Sequence, residues 1–155
     1  MSALSDRLQA DLTTAMKQRD EVRTAALRMA LAALSTEQTS GKVARELTDD
    51  EVVTVLGREV KKRREAAEAF ESAGRADSAA RERAEQDVLA EYLPAALSDD
   101  ELDALVAEAV AQAQASGASG KGAMGAVMKV LQPQVRGRAD GAEVARRVRA
   151  ALGLG

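Results

Sequence analysis

The stretch "EYLPAALSDDEL" (Glu91–Leu102) ends one predicted helix and begins another. Pro94 interrupts the helix because the residue before a proline is pushed away from helical backbone angles. Four residues later, "SDDE" (Ser98–Glu101) is a capping box, in which the serine oxygen accepts a first-turn amide and the glutamate reaches back to the serine amide. The stretch therefore predicts two helical domains, residues 1–94 and residues 95–155.

Upstream of this break, the spacing of apolar residues predicts four helices. The second helix is expected to end at Gly41, because glycine is common just after a helix. Another capping box, "TDDE" (Thr48–Glu51), begins a long third helix that ends near Gly74. The apolar stripe of the first helix consists of Leu4, Leu8, Leu12 and Met16. That of the fourth consists of Ala80, Ala84, Val88, Leu89 and Tyr92.

Downstream of the break, the pattern predicts three shorter helices. The fifth follows the capping box at Ser98, and the sixth is expected to stop at Pro133. Asp140 is the predicted N-cap of the seventh helix, which Gly153 ends. Nowhere does the chain alternate with period two over a useful length. We therefore predict an all-α protein, with an N-terminal bundle of about four helices and a small three-helix C-terminal domain.

The composition supports this fold class and excludes several kinds of chemistry. Hydrophobic residues make up 46 % of the 155 residues, but the chain has one Phe, one Tyr and no Trp. Such a core must consist of Ala, Leu, Val and Met, which suits packed helices better than sheets. There is no Cys and no His, so disulfides, thiolate catalysis and the commonest general base and zinc ligand are absent. We predict no catalytic residue, no metal and no cofactor.

The charge pattern predicts a soluble cytoplasmic protein that does not contact a membrane. Net charge is −3, and no apolar run is long enough for a signal peptide or a transmembrane helix. The acidic triplets Asp49–Glu51 and Asp99–Glu101 suit acid–base work only superficially. Both begin helices, where the helix dipole favours negative charge, and capping explains them.

A basic run, "KKRR" (Lys61–Arg64), allows two interpretations. It could hold phosphates. On a helix it could also be neutralised by acids four residues away, pairing Glu59 with Arg63, Lys61 with Glu65 and Arg64 with Glu68. Both interpretations remain open from the residues alone.

The C-terminal region is electrically polarised. From Lys121 to Gly155 there are seven basic residues against two acidic ones, whereas Ser98–Gly120 has five acidic residues and no basic one. A basic face of this kind attracts phosphate. The region contains no aromatic residue, so it cannot stack on bases. Charge alone thus leaves nucleic-acid binding and a protein partner both open.

Five stretches together resemble the GatB/YqeY family. They keep the family's order and cover nearly the whole chain: "LRMALAAL" (Leu27–Leu34), "KKRREAAEAFESAGRAD" (Lys61–Asp77), "EYLPAALSDDEL" (Glu91–Leu102), "GAMGAVMKVL" (Gly122–Leu131) and "GRADGAEV" (Gly137–Val144). The free-standing YqeY-like type is the most similar. Family members commonly carry an acid just before the MG pair, where this chain has Ala123, so Ser119 is the expected cap of the sixth helix.

The resemblance implies a function connected with tRNA. The family is similar to the C-terminal part of GatB, a subunit of the glutamine-dependent tRNA amidotransferase, where this helical part helps to hold the tRNA. The family is often described as a carbon–nitrogen ligase with glutamine as amido donor. The sequence gives that activity no support, because it has no nucleophile with a partner base, no nucleotide loop and no histidine.

We therefore predict a non-catalytic tRNA-binding module. Its phosphate-contacting residues are expected to be Lys129, Arg136, Arg138, Arg146 and Arg147. The alternative is a protein adaptor that docks on an amidotransferase or an aminoacyl-tRNA synthetase.

Overall fold

The computed structural model describes residues 2–154, Lys121 by its backbone alone. Within these residues it contains seven helices and no strand, which confirms the all-α prediction. The helices are α1 (Ala3–Lys17), α2 (Glu21–Gln38), α3 (Asp49–Ser72), α4 (Ala76–Ala90), α5 (Asp99–Ala115), α6 (Gly120–Val135) and α7 (Gly141–Leu152). The chain divides between Leu93 and Pro94 into two compact units, α1–α4 and α5–α7.

The N-terminal unit is held together by an aliphatic core. α3 and α4 form its most extensive helix pair, and α2 packs on α1 and on α4. The largest fully buried side chains are Leu8, Leu27, Val52, Leu56 and Leu89. Because alanines such as Ala26 and Ala30 are also fully buried, the helices of the unit approach closely, and Tyr92 is the aromatic residue in this core.

The C-terminal unit has its own core, in which α5 packs against both α6 and α7. Leu131, Val127, Val144 and Val148 are fully buried there, surrounded by the apolar side of α5. These residues fix the faces that α6 and α7 turn to solvent.

Both predicted capping boxes are confirmed. The Thr48 hydroxyl accepts the Glu51 amide and the Ser98 hydroxyl accepts the Glu101 amide, while each glutamate carboxylate accepts the cap residue's own amide. Asp140 also caps α7 as predicted, since its carboxylate accepts the amide of Ala142 at 3.0 Å. The acidic triplets are therefore helix starts.

Two predicted helix ends are wrong. α2 ends at Gln38, before Gly41. The hydroxyl groups of Thr39 and Ser40 donate hydrogen bonds to carbonyls of the last turn, and the Arg45 amide donates to the Gln38 carbonyl. α6 passes through Pro133 and ends at Val135. A proline in the last turn removes a single amide donor, and continuing the helix keeps Val135 buried in the core.

Three local assignments are also wrong. Met16 is 48 % exposed, and Ala15 is the buried residue in its place. In α4 the core position is Ala79 instead of Ala80. Ser119 precedes α6 at the N-cap position, but its side chain makes no capping hydrogen bond.

Candidate nucleic-acid interface

The turn between α6 and α7 holds the segment that follows Pro94. Arg138 donates from Nε to the Ala95 carbonyl at 3.0 Å, and its own carbonyl accepts the Leu97 amide at 2.9 Å. Gly137 permits this turn because it has a positive φ of 71°, which favours glycine. Arg138 is thus part of the connection between the turn and the entry to α5.

Arg147 joins α7 to the first turn of α5. Its guanidinium lies 2.7 Å from Asp99, 2.6 Å from Asp103 and 2.9 Å from Glu143. The side chain is only 16 % exposed. Hydrogen bonds to Glu143 and Asp103 raise the pKa of Arg147 above its ordinary value. One arginine therefore neutralises acids that are far apart in the sequence.

Arg146 shares Glu143 with Arg147 but points to solvent. Its Nε donates to the Glu143 carboxylate at 3.0 Å, and its side chain is 66 % exposed. Arg149 lies three residues further along α7 and is also exposed. Residues three apart lie on the same side of a helix, so Arg146 and Arg149 present two guanidinium groups together.

Lys129 and Arg136 belong to α6 and its end. Lys129 is exposed, and Arg136 is half-buried at the C-cap. Among the side chains that the structure describes, neither Lys129 nor Arg149 forms an ion pair. The five predicted contact residues thus divide. Arg138 and Arg147 bind partners within the unit, and Arg136 is half-buried. Lys129 extends into solvent, and so does Arg146 although it pairs with Glu143.

The sequence prediction left Arg149 out of the contact set. The signal was present, because Arg149 follows Arg146 at helical spacing on a strongly amphipathic helix whose buried residues are Val144 and Val148. Placing Val144 and Val148 inward leaves positions 146 and 149 outward. Arg146 and Arg147 are adjacent in the sequence, but they point in different directions on the helix.

Glu143 should make the C-terminal unit sensitive to acid. Hydrogen bonds from Arg146 and Arg147 lower its pKa from 4.5 to about 2. A carboxyl group with a lowered pKa in the folded state contributes stability above its ordinary pKa and loses that contribution as the pH falls from about 4.5 to about 2. The stability difference between the wild type and Glu143→Gln should therefore be constant above pH 5 and shrink towards pH 2, measured by thermal unfolding.

Glu108→Gln is the matched control, since Glu108 is an exposed acid on α5. The stability difference between Glu108→Gln and the wild type should change little over the same pH range. If Glu143→Gln and the wild type lost stability in parallel on acidification, the ion pairs of Glu143 would not contribute to folding.

The N-terminal unit contains a buried charge cluster. Arg63, only 9 % exposed, lies 3.6 Å from Glu59, 3.8 Å from Glu82 and 3.9 Å from Glu85. The predicted pair of Glu59 and Arg63 is thereby confirmed. Lys62 and Arg81 contact Glu59 and Glu85 from the exposed side. The two central residues of the basic run "KKRR", Lys62 and Arg63, therefore pair with acids inside the unit.

Among residues 2–154, no group of three or more acidic side chains is arranged to hold a metal ion. Tyr92, the one tyrosine, donates to Asp11, and burial with this hydrogen bond raises its pKa to about 12. No helix in the described part of the chain combines the length and apolar character that crossing a membrane requires.

The family assignment rests on a match over nearly the full length. The model of the family described as "Yqey-like protein" matches residues 5–152. The chain belongs to the YqeY-like family. This confirms the resemblance drawn from the five stretches, and the match spans both compact units. A search of the curated proteins found no match to this chain.

Proposed function

We propose that this YqeY-like protein is a non-catalytic module that binds RNA of the tRNA class through its C-terminal unit. The observation that supports this most is the group of exposed cations on α6 and α7. Lys129 and Arg149 carry charges that no described acid neutralises, and Arg146 lies beside Arg149 on the same side of α7. Groups of this kind bind phosphate oxygens through charge-assisted hydrogen bonds.

The C-terminal region contains no aromatic residue, which limits how it would bind RNA. Phe70 and Tyr92 both belong to the N-terminal unit. Contacts from α6 and α7 would therefore reach phosphates and sugars and leave the bases unstacked. A module of this kind recognises the shape and charge of a folded RNA, and its affinity falls steeply with salt.

In this proposal the predicted arginines have different roles. Arg138 and Arg147 keep the turn and α7 in place through internal contacts, so replacing them would disturb the surface indirectly. Lys129, Arg146 and Arg149 are the proposed phosphate contacts. Arg136, at the end of α6, is retained in the proposal as a fourth, half-buried member.

Neutralising two of these cations should reduce the salt dependence of RNA binding. In the double variant Lys129→Gln/Arg149→Gln, the slope of log affinity against log salt concentration should fall by about two units, about one for each lost phosphate contact. The measurement is a titration of pure protein with tRNA at several salt concentrations.

The matched control is Lys17→Gln/Arg19→Gln, which removes the same charge from two exposed positions, the last residue of α1 and the loop that follows it in the N-terminal unit. It should leave the slope unchanged. Equal slopes for the two variants and the wild type would contradict the proposed surface. Capture of a protein partner that survives RNase treatment would then favour an adaptor.

A further inference from the structure

The thioether of Met29 lies beside the buried guanidinium of Arg63. Nη2 of Arg63 donates to Sδ of Met29 at 3.3 Å, joining α2 to α3. Met29 itself is 40 % exposed, so solvent reaches a side chain that contacts a buried charge. Thioether sulfur is a weak acceptor. A buried, charged donor is therefore matched with a poor partner.

Arg63 lacks strong acceptors elsewhere as well. Its carboxylate neighbours lie at ion-pair distances of 3.6 Å and more, and its buried Nε has no hydrogen-bond partner. Oε2 of Glu82 is also buried without a partner. Buried polar atoms are normally satisfied because leaving them unsatisfied is costly. A stronger acceptor at the position of the Met29 sulfur would give Nη2 of Arg63 a better partner, whereas Nε of Arg63 and Oε2 of Glu82 would stay unsatisfied.

A groove beside Met29 offers access and space. It has a volume of about 380 Å³ and lies between α2 and α3. Met29, Ala32, Ala33 and Val55 form its apolar part. A peroxide molecule is small enough to enter such a groove, and an added oxygen atom on sulfur has room there.

We propose that Met29 is a site of oxidation by peroxide, at which the sulfoxide oxygen accepts a hydrogen bond from Arg63. The sulfur lone pair attacks one peroxide oxygen, forming the S–O bond and breaking the O–O bond. Sulfur is oxidised by two electrons, both peroxide oxygens are reduced, and the departing oxygen leaves as water after taking both protons. The guanidinium stabilises the negative oxygen that develops on sulfur.

Met16 is an internal comparison for this site. It is more exposed than Met29, and its Sδ lies 3.8 Å from Nη2 of Arg28. Arg28 is itself exposed to solvent. A sulfoxide at Met16 therefore gains no buried donor, whereas one at Met29 does.

Glutamine tests the acceptor without oxidation, because its side-chain oxygen lies near the position of a sulfoxide oxygen. The variant Met29→Gln should have a Tm about 5 °C higher than Met29→Leu, since a hydrogen bond to a charged group is added. Met16→Gln and Met16→Leu should differ by less than about 2 °C. A Tm of Met29→Gln no higher than that of Met29→Leu would overturn the proposal.

Oxidation itself is followed in the full-length protein with hydrogen peroxide and mass spectrometry of its peptides. Met29 should form sulfoxide at least as fast as the more exposed Met16, and faster than the half-buried Met124 and Met128. Slower oxidation of Met29 than of Met124 or Met128 would also overturn the proposal.

Discussion

Replacing Arg63 by methionine should lower the free energy of unfolding of the N-terminal unit by about 3 kcal/mol, because removing one partner leaves buried carboxylates without a counter-ion. This expected loss lies at the low end of the range for removing one partner of a buried ion pair. Lys62 and Arg81 still contact Glu59 and Glu85 in the variant, so Glu82 suffers the greatest loss. Urea unfolding followed by circular dichroism measures the change.

Arg58→Met is the matched control for this substitution. Arg58 lies on the same helix and pairs with Glu37 at 3.3 Å, but its side chain is exposed. The loss of an exposed ion pair should cost less than about 1 kcal/mol. Adding Glu82→Gln to Arg63→Met should recover part of the stability, because the uncompensated buried charge is removed. Equal costs for Arg63→Met and Arg58→Met would contradict a buried role for Arg63.

Replacing Leu131 by alanine should destabilise the C-terminal unit by about 2–5 kcal/mol. Leu131 is fully buried in α6, in the cluster that contains Val144 and Val148 of α7. The two lost methyl groups and the lost methine carbon leave a cavity that an aliphatic core of this size cannot close without moving a helix. Thermal and urea unfolding measure the effect.

The control for Leu131 is Leu154→Ala, which shortens an exposed leucine after the end of α7. It should change the free energy of unfolding by less than about 0.5 kcal/mol. RNA binding by Leu131→Ala should fall only where the unit unfolds, whereas Lys129→Gln/Arg149→Gln should lose binding while folded. If Leu131→Ala were as stable as the wild type, this result would contradict the assigned core of the C-terminal unit.

Features of the fold that depend on local sequence were predictable. The caps at Thr48, Ser98 and Asp140 are confirmed because a cap is formed by residues within three positions of each other. Pro94 marked a real helix break, since the chain around it leaves helical geometry before α5 begins.

Pro133 and Gly41 show where local rules fail. The residues around Pro133 include Leu131 and Val135, both required by the core, and this packing outweighs one missing hydrogen bond. α2 ended before Gly41 because hydroxyl groups of Thr39 and Ser40 satisfied its last carbonyls. In each case side chains decide where the helix ends, and the spacing of apolar residues does not reveal their positions.

The partners of the charged residues were the feature that the sequence predicted least. Arg147 meets Asp99 and Asp103, which precede it by 48 and 44 residues, and no local pattern indicates such pairing. Arg63 occurs within four consecutive basic residues, yet it is the one buried among carboxylates. The sequence showed that the C-terminal region is basic. Only the folded chain separates the cations that hold the unit together from those that extend into solvent.

The most direct test of RNA binding is a titration of the pure protein with total tRNA at low and moderate salt, compared with duplex DNA of equal charge. We expect tighter binding to tRNA that persists at moderate salt, because a surface fitted to a folded RNA retains contacts beyond counter-ion release. Equal affinity for both nucleic acids, abolished by moderate salt, would contradict a tRNA-binding role and reduce the basic surface to general electrostatic attraction.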